Sequence, residues 1–221
     1  MLYIVSTPIG NLKDITLRAI ETLKSVDLIA AEDTRHTQIL LKTYDIHTPL
    51  TSYYEHNEFS KSKHLLELLQ QGKNVAVVTD AGTPGISDPG YLLIKLAQEN
   101  NIPTTVVPGP TALVAGLSLS GAPAHSFVFE GFLPVKSGAR QKKLADLKSE
   151  TRTIIFYEAP HRVLKTLQDI QDVLNDPVVI CAREITKKFE EVKKAKASDL
   201  IIHFCQNPPK GEFVILLHLA P

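Results

Sequence analysis

An α/β fold of two domains is predicted by three features of the sequence. Short apolar runs alternate with segments of helical periodicity, the signature of a parallel sheet with crossover helices. Turns rich in Gly, Pro and Asp follow four of those runs, at the strand ends where open sheets bind ligands. The texture then changes at Ser120-Gly121-Ala122-Pro123-Ala124, which reads as a linker placed where a first domain of ordinary size ends. The expectation is an N-terminal domain over residues 1–120, with a mostly parallel sheet and helices on both faces. A C-terminal domain over residues 121–221 follows, with a mixed sheet and helices.

Taken in order, residues 2–6 read as the first strand. Thr16 caps a helix to about residue 25, with Leu17, Ile20 and Leu23 on one face. Residues 27–31 are a second strand and 34–44 a helix. Ser60 opens another helix, with Leu65, Leu66, Leu68 and Leu69 turned inward and Gly72 closing it. Strand 74–79, helix 89–100, strand 104–107 and helix 110–119 complete the first domain. In the second, strand 126–130 precedes a helix to about residue 148. Strand 153–157, helix 163–174 and strand 178–183 come next, then a strand-like run near 189–192, a helix near 199–205 and a last strand over 213–219. The lysines of residues 187–196, broken by Glu190 and Glu191, read as a solvated face.

The 221 residues suffice for two small domains with cores of their own. A hydrophobic share of 43% and a formal net charge of +0 describe an ordinary globular chain without the cationic excess of a non-specific nucleic-acid binder. Cys181 and Cys205 lie far apart, in no metal-ligand spacing, and read as buried free thiols of a reducing compartment. The N-terminus lacks a basic region, and no stretch approaches the ~20 apolar residues of a membrane span. The expected location is the cytoplasm.

The four strand ends carry Pro8-Ile9-Gly10-Asn11, Glu32-Asp33-Thr34-Arg35, Asp80-Ala81-Gly82-Thr83-Pro84-Gly85-Ile86-Ser87-Asp88-Pro89-Gly90 and Pro108-Gly109-Pro110-Thr111-Ala112. Glycine lets backbone amides approach a ligand, and proline holds a loop in one shape, lowering the entropy lost on binding. Asp80 and Asp88 are acceptors for ribose hydroxyls or partners for an ammonium. The helix opening at Pro110 and Thr111 is a seat for a carboxylate or phosphate. Any one loop can equally be a stiff structural turn; four on one rim favour a small-molecule site. There is no Gly-x-Gly-x-x-Gly after the first strand and no Walker-type loop, which argues against a dinucleotide or NTP site. No histidine pair has metal spacing, and no nucleophile elbow occurs, so no metal is expected. The residues by themselves lead to a cleft for a polar, nucleoside-containing ligand.

Taken together with Gly131-Phe132-Leu133-Pro134, Tyr157-Glu158-Ala159-Pro160-His161-Arg162 and Arg183-Glu184-Ile185-Thr186-Lys187-Lys188-Phe189-Glu190, these loops resemble one family from the first strand to the last. The chain is similar to the small-subunit ribosomal RNA methyltransferases of the tetrapyrrole methylase superfamily. The resemblance implies a tetrapyrrole-methylase-like fold with S-adenosylmethionine (SAM) in the cleft between the domains, and a homodimer. It implies 2′-O-methylation of a cytidine in the decoding region of 16S rRNA, with the small ribosomal subunit as partner. Carried over by motif, the cofactor site draws on Pro8 and Gly10. From the long loop it takes Asp80, Ala81, Gly82, Thr83, Ile86, Ser87 and Asp88, and from the next Pro108, Gly109, Thr111 and Ala112. Phe132, Tyr157, Glu158, Glu212 and Phe213 complete it, the last two closing over the adenine. Such relatives commonly continue past the last strand with a basic extension. This sequence stops at Pro221, which implies a weaker grip on RNA around an unchanged core site.

SAM supplies the methyl group on a sulfonium leaving group, so the chain's task is alignment, worth ~7–11 kcal/mol. A ribose 2′-hydroxyl also needs a base, worth ~10²–10⁴-fold, or a cation that favours the alkoxide. Lys187 is a candidate for either role, Glu184 and Glu158 are alternative bases, and Arg35, Arg162 and Arg183 are candidate phosphate clamps. Each has an ordinary alternative as a member of a local ion pair. Two rival functions remain in view. One is a SAM methyltransferase acting on a small macrocycle, whose first loop generally reads Gly-x-Gly-x-Gly-Asp. The other is a SAM-binding module that is silent without the C-terminal extension.

Overall fold

Strand β1 (Leu2–Val5) lies inside a five-stranded parallel sheet and pairs with β4 (Val75–Val78) on one side and β5 (Thr104–Val107) on the other. Strands β2 (Leu28–Ala31) and β3 (Leu50–Ser52) extend it to the order β3-β2-β4-β1-β5. All of this comes from a computed structural model that describes residues 1–219. Alternation along the strands makes two cores. Val5, Ile29, Ala31, Ala76 and Val78 pack against helices α1 (Leu17–Ser25) and α2 (Thr34–Thr43). Leu2, Ala30, Val75 and Val77 pack against α3 (Glu58–Gln70) and α4 (Tyr91–Glu99). Burial on both faces explains why the strands read as unbroken apolar runs.

The winding sets the position of a crevice. The chain leaves β2 outward to β3, but leaves β4 the other way, past β1 to β5. The carboxyl ends of the neighbours β2 and β4 therefore flank the topological switch point, where open sheets bind ligands.

The second sheet is mixed, with order β6-β7-β10-β8-β9. Its strands are β6 (Phe127–Phe132), β7 (Thr153–Glu158), β8 (Val178–Arg183), β9 (Glu191–Lys196) and β10 (Phe213–Leu217). Only β6 and β7 run parallel; the other pairs are antiparallel. Helices α6 (Ser137–Asp146), α7 (Val163–Leu174) and α8 (Ala197–Gln206) cover one face through Leu144, Leu167, Ile170 and Phe204. Helix α5 (Ala112–Ser120) lies on β10 so closely that a Cβ on Gly116 would stand 2.8 Å from Val214 Cγ1.

The expected α/β class, with a parallel first sheet and a mixed second one, is what the structure has. Several particulars differ. The chain divides into compact units Met1–Thr111 and Ala112–Pro221, so α5 belongs to the second unit and the division falls before it rather than after residue 120. The change of texture at residue 120 marks the turn after α5, whereas its packing on β10 decides membership. Strand β3, three residues long and half-buried, has no apolar run to announce it. Helix α3 starts at Glu58, ahead of Ser60. On α1 the buried stripe is Ala19, Thr22 and Leu23, while Leu17 is exposed. The lysine-rich run is the edge strand β9, in register with β8 from Val178↔Lys196 to Arg183↔Glu191. Cys181 is buried as expected but Cys205 is exposed. Among the described residues no helix is long and apolar enough to cross a membrane.

One buried charge pair pins α6 to α7. Arg140 Nη2 lies 2.5 Å from Asp169 Oδ2, and both side chains are almost fully buried. Ser137 and Gln141 also donate to Asp169. Replacing Arg140 with Met strands that carboxylate, and a broken buried pair costs about 3–5 kcal/mol. The expected result is an unfolding free energy from urea titration lowered by that amount; an unchanged value would show that Asp169 is held without its arginine.

Candidate functional site

The rim of the first sheet is tied together strand by strand. At the switch point the Asp33 N–H donates to Asp80 Oδ1 (3.0 Å) and the Asp80 N–H donates to Glu32 Oε2 (3.2 Å). Burial raises the pKa of Glu32; the Asp80 amide works against that, while the neighbouring Asp80 and Asp33 charges add to it. Between β1 and β4, Thr7 and Gly82 exchange backbone hydrogen bonds of 2.8 and 3.1 Å. Beside them the Ser6 and Thr83 hydroxyls meet at 2.9 Å. Between β1 and β5, the Gly109 backbone lies against Ser6, where a Cβ would come within 3.0 Å of the serine Cβ. That tight contact favours glycine, and it brings the loop after β5 against the end of β1.

Six predicted cofactor positions meet on this rim: Pro8, Asp80, Ala81, Gly82, Thr83 and Gly109. Pro8 is buried, whereas Gly10 and Pro108 are exposed. The long loop reaches an exposed tip at Ile86 and Ser87, and Ser87 takes a φ of 64°. Asp88, also on this loop, is partly buried. The loop's return is fixed by Glu58 on α3, whose Oε1 accepts from Gly90 N–H (3.1 Å), Leu92 N–H (3.3 Å) and Tyr53 Oη (3.0 Å). Glu58 is not legible in the sequence, because its contacts with the loop span 32 and 34 residues and leave no local pattern. Glu32 was foreseen only as part of a motif. Arg35 is exposed and gripped by Asp33, with Nη2 2.8 Å from Oδ2. That hydrogen-bonded arginine holds the Asp33 carboxyl well below the usual carboxylate range. Thr111 closes the first unit and Ala112 opens α5 in the second.

In the second unit the ends of β8 and β10 hold a charge cluster. Lys187 Nζ donates to Glu184 Oε1 (3.0 Å) and Glu212 Oε2 (2.8 Å). Burial works against its charge, but the two carboxylates outweigh it and its pKa is raised. The two carboxylates thus favour the protonated ammonium, which weighs against Lys187 as a base. Glu184 Oε1 also accepts from the Glu212 N–H (3.1 Å), while the Glu184 N–H donates to the Glu212 carbonyl (3.0 Å). Gly211, at φ 77°, passes directly against the Glu184 carboxylate, and a Cβ there would overlap it.

Other predicted positions serve the fold. Glu158 is 1% exposed. It accepts from the Ala159 N–H (2.9 Å) and Thr166 Oγ1 (2.6 Å), and Arg162 Nε lies 3.1 Å away as an ion pair without hydrogen-bond alignment. A carboxylate so enclosed has no access to a substrate proton, so Glu158 is a structural anchor and Arg162, which donates to the Leu133 carbonyl, its partner. The Phe213 side chain lies in the core against Phe204, leaving only its backbone for any ligand. Phe132 is exposed and meets Tyr157 edge-on at 5.7 Å, and Tyr157 Oη accepts from the Leu113 N–H (3.1 Å). Arg183 pairs with Glu191 at 2.7 Å.

On the first rim Gly82 and Gly109 bring the loops after β4 and β5 against β1, their contacts spent on Thr7 and Ser6, and a ligand there would meet the Ser6 and Thr83 hydroxyls beside them. Three comparisons bear on what that ligand is. The tetrapyrrole (corrin/porphyrin) methylase family matches residues 1–201. The chain is 51% identical to a Synechocystis protein named ribosomal RNA small subunit methyltransferase I, over 98% of this chain and 78% of that one. A Thermotoga maritima protein of the same name is 49% identical, over 98% of this chain and 97% of that one. The fold is that of uroporphyrin-III C-methyltransferase from Thermus thermophilus, solved in complex with S-adenosyl homocysteine: TM-score 0.67, 18% identity, 99% of this chain and 97% of that one.

Glu32 gives a signed test. A folded-state pKa above the ordinary 4.5 means that the charged carboxylate destabilises the fold at neutral pH. Glu32→Gln keeps an acceptor for the Asp80 amide and removes the charge. Its urea midpoint should exceed the wild type at pH 7, and the advantage should vanish below the model-compound value of 4.5, where the glutamate is protonated folded and unfolded alike. A midpoint lowered at pH 7 would show that the charge is stabilising.

Proposed function

The chain belongs to the tetrapyrrole (corrin/porphyrin) methylase family, among its small-subunit ribosomal RNA methyltransferases, and on that premise we propose that it methylates the 2′-hydroxyl of a cytidine in the decoding region of small-subunit rRNA. Near-full-length identity of about half the residues to proteins named for rRNA methylation supports the RNA substrate. SAM is the methyl donor of this family, and it supplies an activated methyl group on a sulfur leaving group. The cytidine and the 2′ position follow from the motif resemblance.

The chemistry left to the chain is to position the acceptor oxygen, exclude water and favour the alkoxide. The observation that carries this reading is the state of Lys187. An ammonium has three donors, and Glu184 and Glu212 use two. The third is available to an attacking oxygen as its charge develops. Glu184 is committed to Lys187 and to the Glu212 amide, and Glu158 is enclosed. Glu212, with its side chain 73% exposed, is the carboxylate of the cluster open to the departing proton. Val114 and Leu119, exposed on the largely apolar helix α5, give a second copy of the chain a face to cover, in line with a homodimer.

Transfer of labelled methyl groups from SAM to small ribosomal subunits isolated from cells lacking the enzyme tests the function. A single new linkage resistant to alkali in the decoding region is the expected product; transfer confined to a base, or none, would overturn the 2′-O reading. Lys187→Met should lower kcat by about 10²–10³, the usual cost of one lost charge-stabilising donor, with SAM affinity within twofold. Unchanged turnover would remove Lys187 from the mechanism.

A further inference from the structure

A cavity of about 150 Å³ opens in the first unit between the loop after β1, the first turns of α2 and the end of β4. Pockets that enclose a whole cofactor run to ~300–1,000 Å³, so this one is too small for SAM. A cavity of the same volume in another protein accommodates benzene, which sets the scale at one six-membered ring.

Its walls suit such a ring. Pro8, Leu12 and Ile39 are apolar, and Leu12 and Ile39 are exposed although each lines the cavity. The Leu12 wall is fixed: Asn11 Oδ1 accepts from the Lys13 N–H, and Tyr44 Oη donates to the Leu12 carbonyl at 2.6 Å. Besides the exposed His36 imidazole, two polar groups among the lining residues have unused capacity. Thr37 is 3% exposed, and its Oγ1 makes no hydrogen bond among the described residues. A buried hydroxyl in that condition is costly until something supplies a partner. Asp80 spends Oδ1 on the Asp33 amide, and Oδ2 makes no hydrogen bond among the described residues.

We propose that this cavity receives the base of the acceptor nucleotide, an amino-bearing pyrimidine turned out of its stack. The proposal rests on the reading above that the acceptor is a nucleotide of rRNA. Enzymes that act on an extruded nucleotide read its Watson–Crick edge and hold the ring between apolar or aromatic side chains. A carboxylate accepts from the exocyclic N4 amine of cytosine, and a hydroxyl can donate to the adjacent ring nitrogen. Uracil presents a carbonyl and an N–H in those places, setting a carbonyl against a carboxylate. The assignment gives Asp80 Oδ2 to the base rather than to the cofactor, and makes Thr37 and Asp80 the residues that choose cytidine over uridine.

Two variants test it with measurements that a structural role would not move. Thr37→Val removes the hydroxyl at equal size; as a mere buried orphan its loss would leave stability level or raised and kinetics unchanged. Ile39→Trp fills the cavity from an exposed position and spares the core. With unmethylated small subunits and labelled SAM, Thr37→Val should raise KM for the subunit about tenfold, one buried hydrogen bond, and Ile39→Trp should raise it further. SAM affinity by calorimetry should stay within twofold of wild type for both. Cytidine 5′-monophosphate should bind the wild type about tenfold more tightly than uridine 5′-monophosphate, and Ile39→Trp should abolish that preference. If wild type methylates the subunit and both variants keep its KM, the cavity does not hold the base and only this proposal falls. Weakened SAM binding in either variant would reassign the cavity to the cofactor and overturn it. Tight SAM binding by wild type without rRNA methylation would defeat the functional reading itself, and this proposal with it.

Discussion

The carboxyl ends of β2 and β4 are joined by two hydrogen bonds of opposite sense, each from a backbone amide to the other strand's acidic side chain. The bond from Asp33 to Asp80 and the bond from Asp80 to Glu32 close the one place where the winding of the sheet reverses. The β2–β4 side of the first rim is organised around that closure. Asp80 begins the long loop, Asp33 caps α2 and grips Arg35, and the cavity beside them is bounded by α2 on one side and Asp80 on another. The cost is a half-buried carboxylate whose charge is disfavoured, with two like charges nearby. A site under no functional demand would be expected to settle on amides instead, since burying an uncompensated charge is expensive.

The second unit solves a different problem with different means. Its candidate centre is built from side-chain charge: one ammonium between two carboxylates, with a glycine backbone pressed against one of them. Because Glu184 exchanges backbone and side-chain hydrogen bonds with Glu212, the ends of β8 and β10 cannot separate without unpairing the lysine. The first rim offers backbone at fixed shape; the cluster offers a cation held at fixed charge.

What could be read from the sequence follows the range of the forces involved. Strands buried on both faces, such as Val75–Val78, and capped helices such as α1 after Thr16 are local signals. The Gly-, Pro- and Asp-rich loops likewise declare the rim, because φ > 0 and close approach restrict which residue can occupy a single position. The three-residue edge strand β3 and the alternating lysine strand β9 are set by pairing with a neighbour, and neither carries an apolar run. The same limit applied to the site. Glu158 looked like a base because its motif was recognised, but Thr166 and Arg162, which enclose it, come from the following helix and its approach. Glu58 and Thr37 were missed because the loop and cavity they serve exist only after folding.

Backbone conformation separates ordinary turns from the candidate sites. Among the described residues, seven other than glycine have positive φ. Asp45, Asn101, Asn175 and Asp176 all follow the last turn of a helix, where Asn and Asp tolerate the left-handed region at little cost. Ser87, Glu184 and Thr186 do not. Ser87 sits at the tip of the long loop, and Glu184 and Thr186 flank the turn that presents Lys187. A β-branched threonine in that region is the least tolerated of the three, and each such residue costs about 1–3 kcal/mol and persists only where its surroundings compel it. Here they are compelled: the Thr186 N–H donates to Glu190 Oε2 at 2.6 Å, and the Lys187 N–H donates to the Glu184 carbonyl at 2.9 Å. Relaxing this turn would free strain but move the ammonium away from both carboxylates. Strain concentrated at the one lysine whose charge is doubly secured is what is expected if its placement matters more than the stability of the turn.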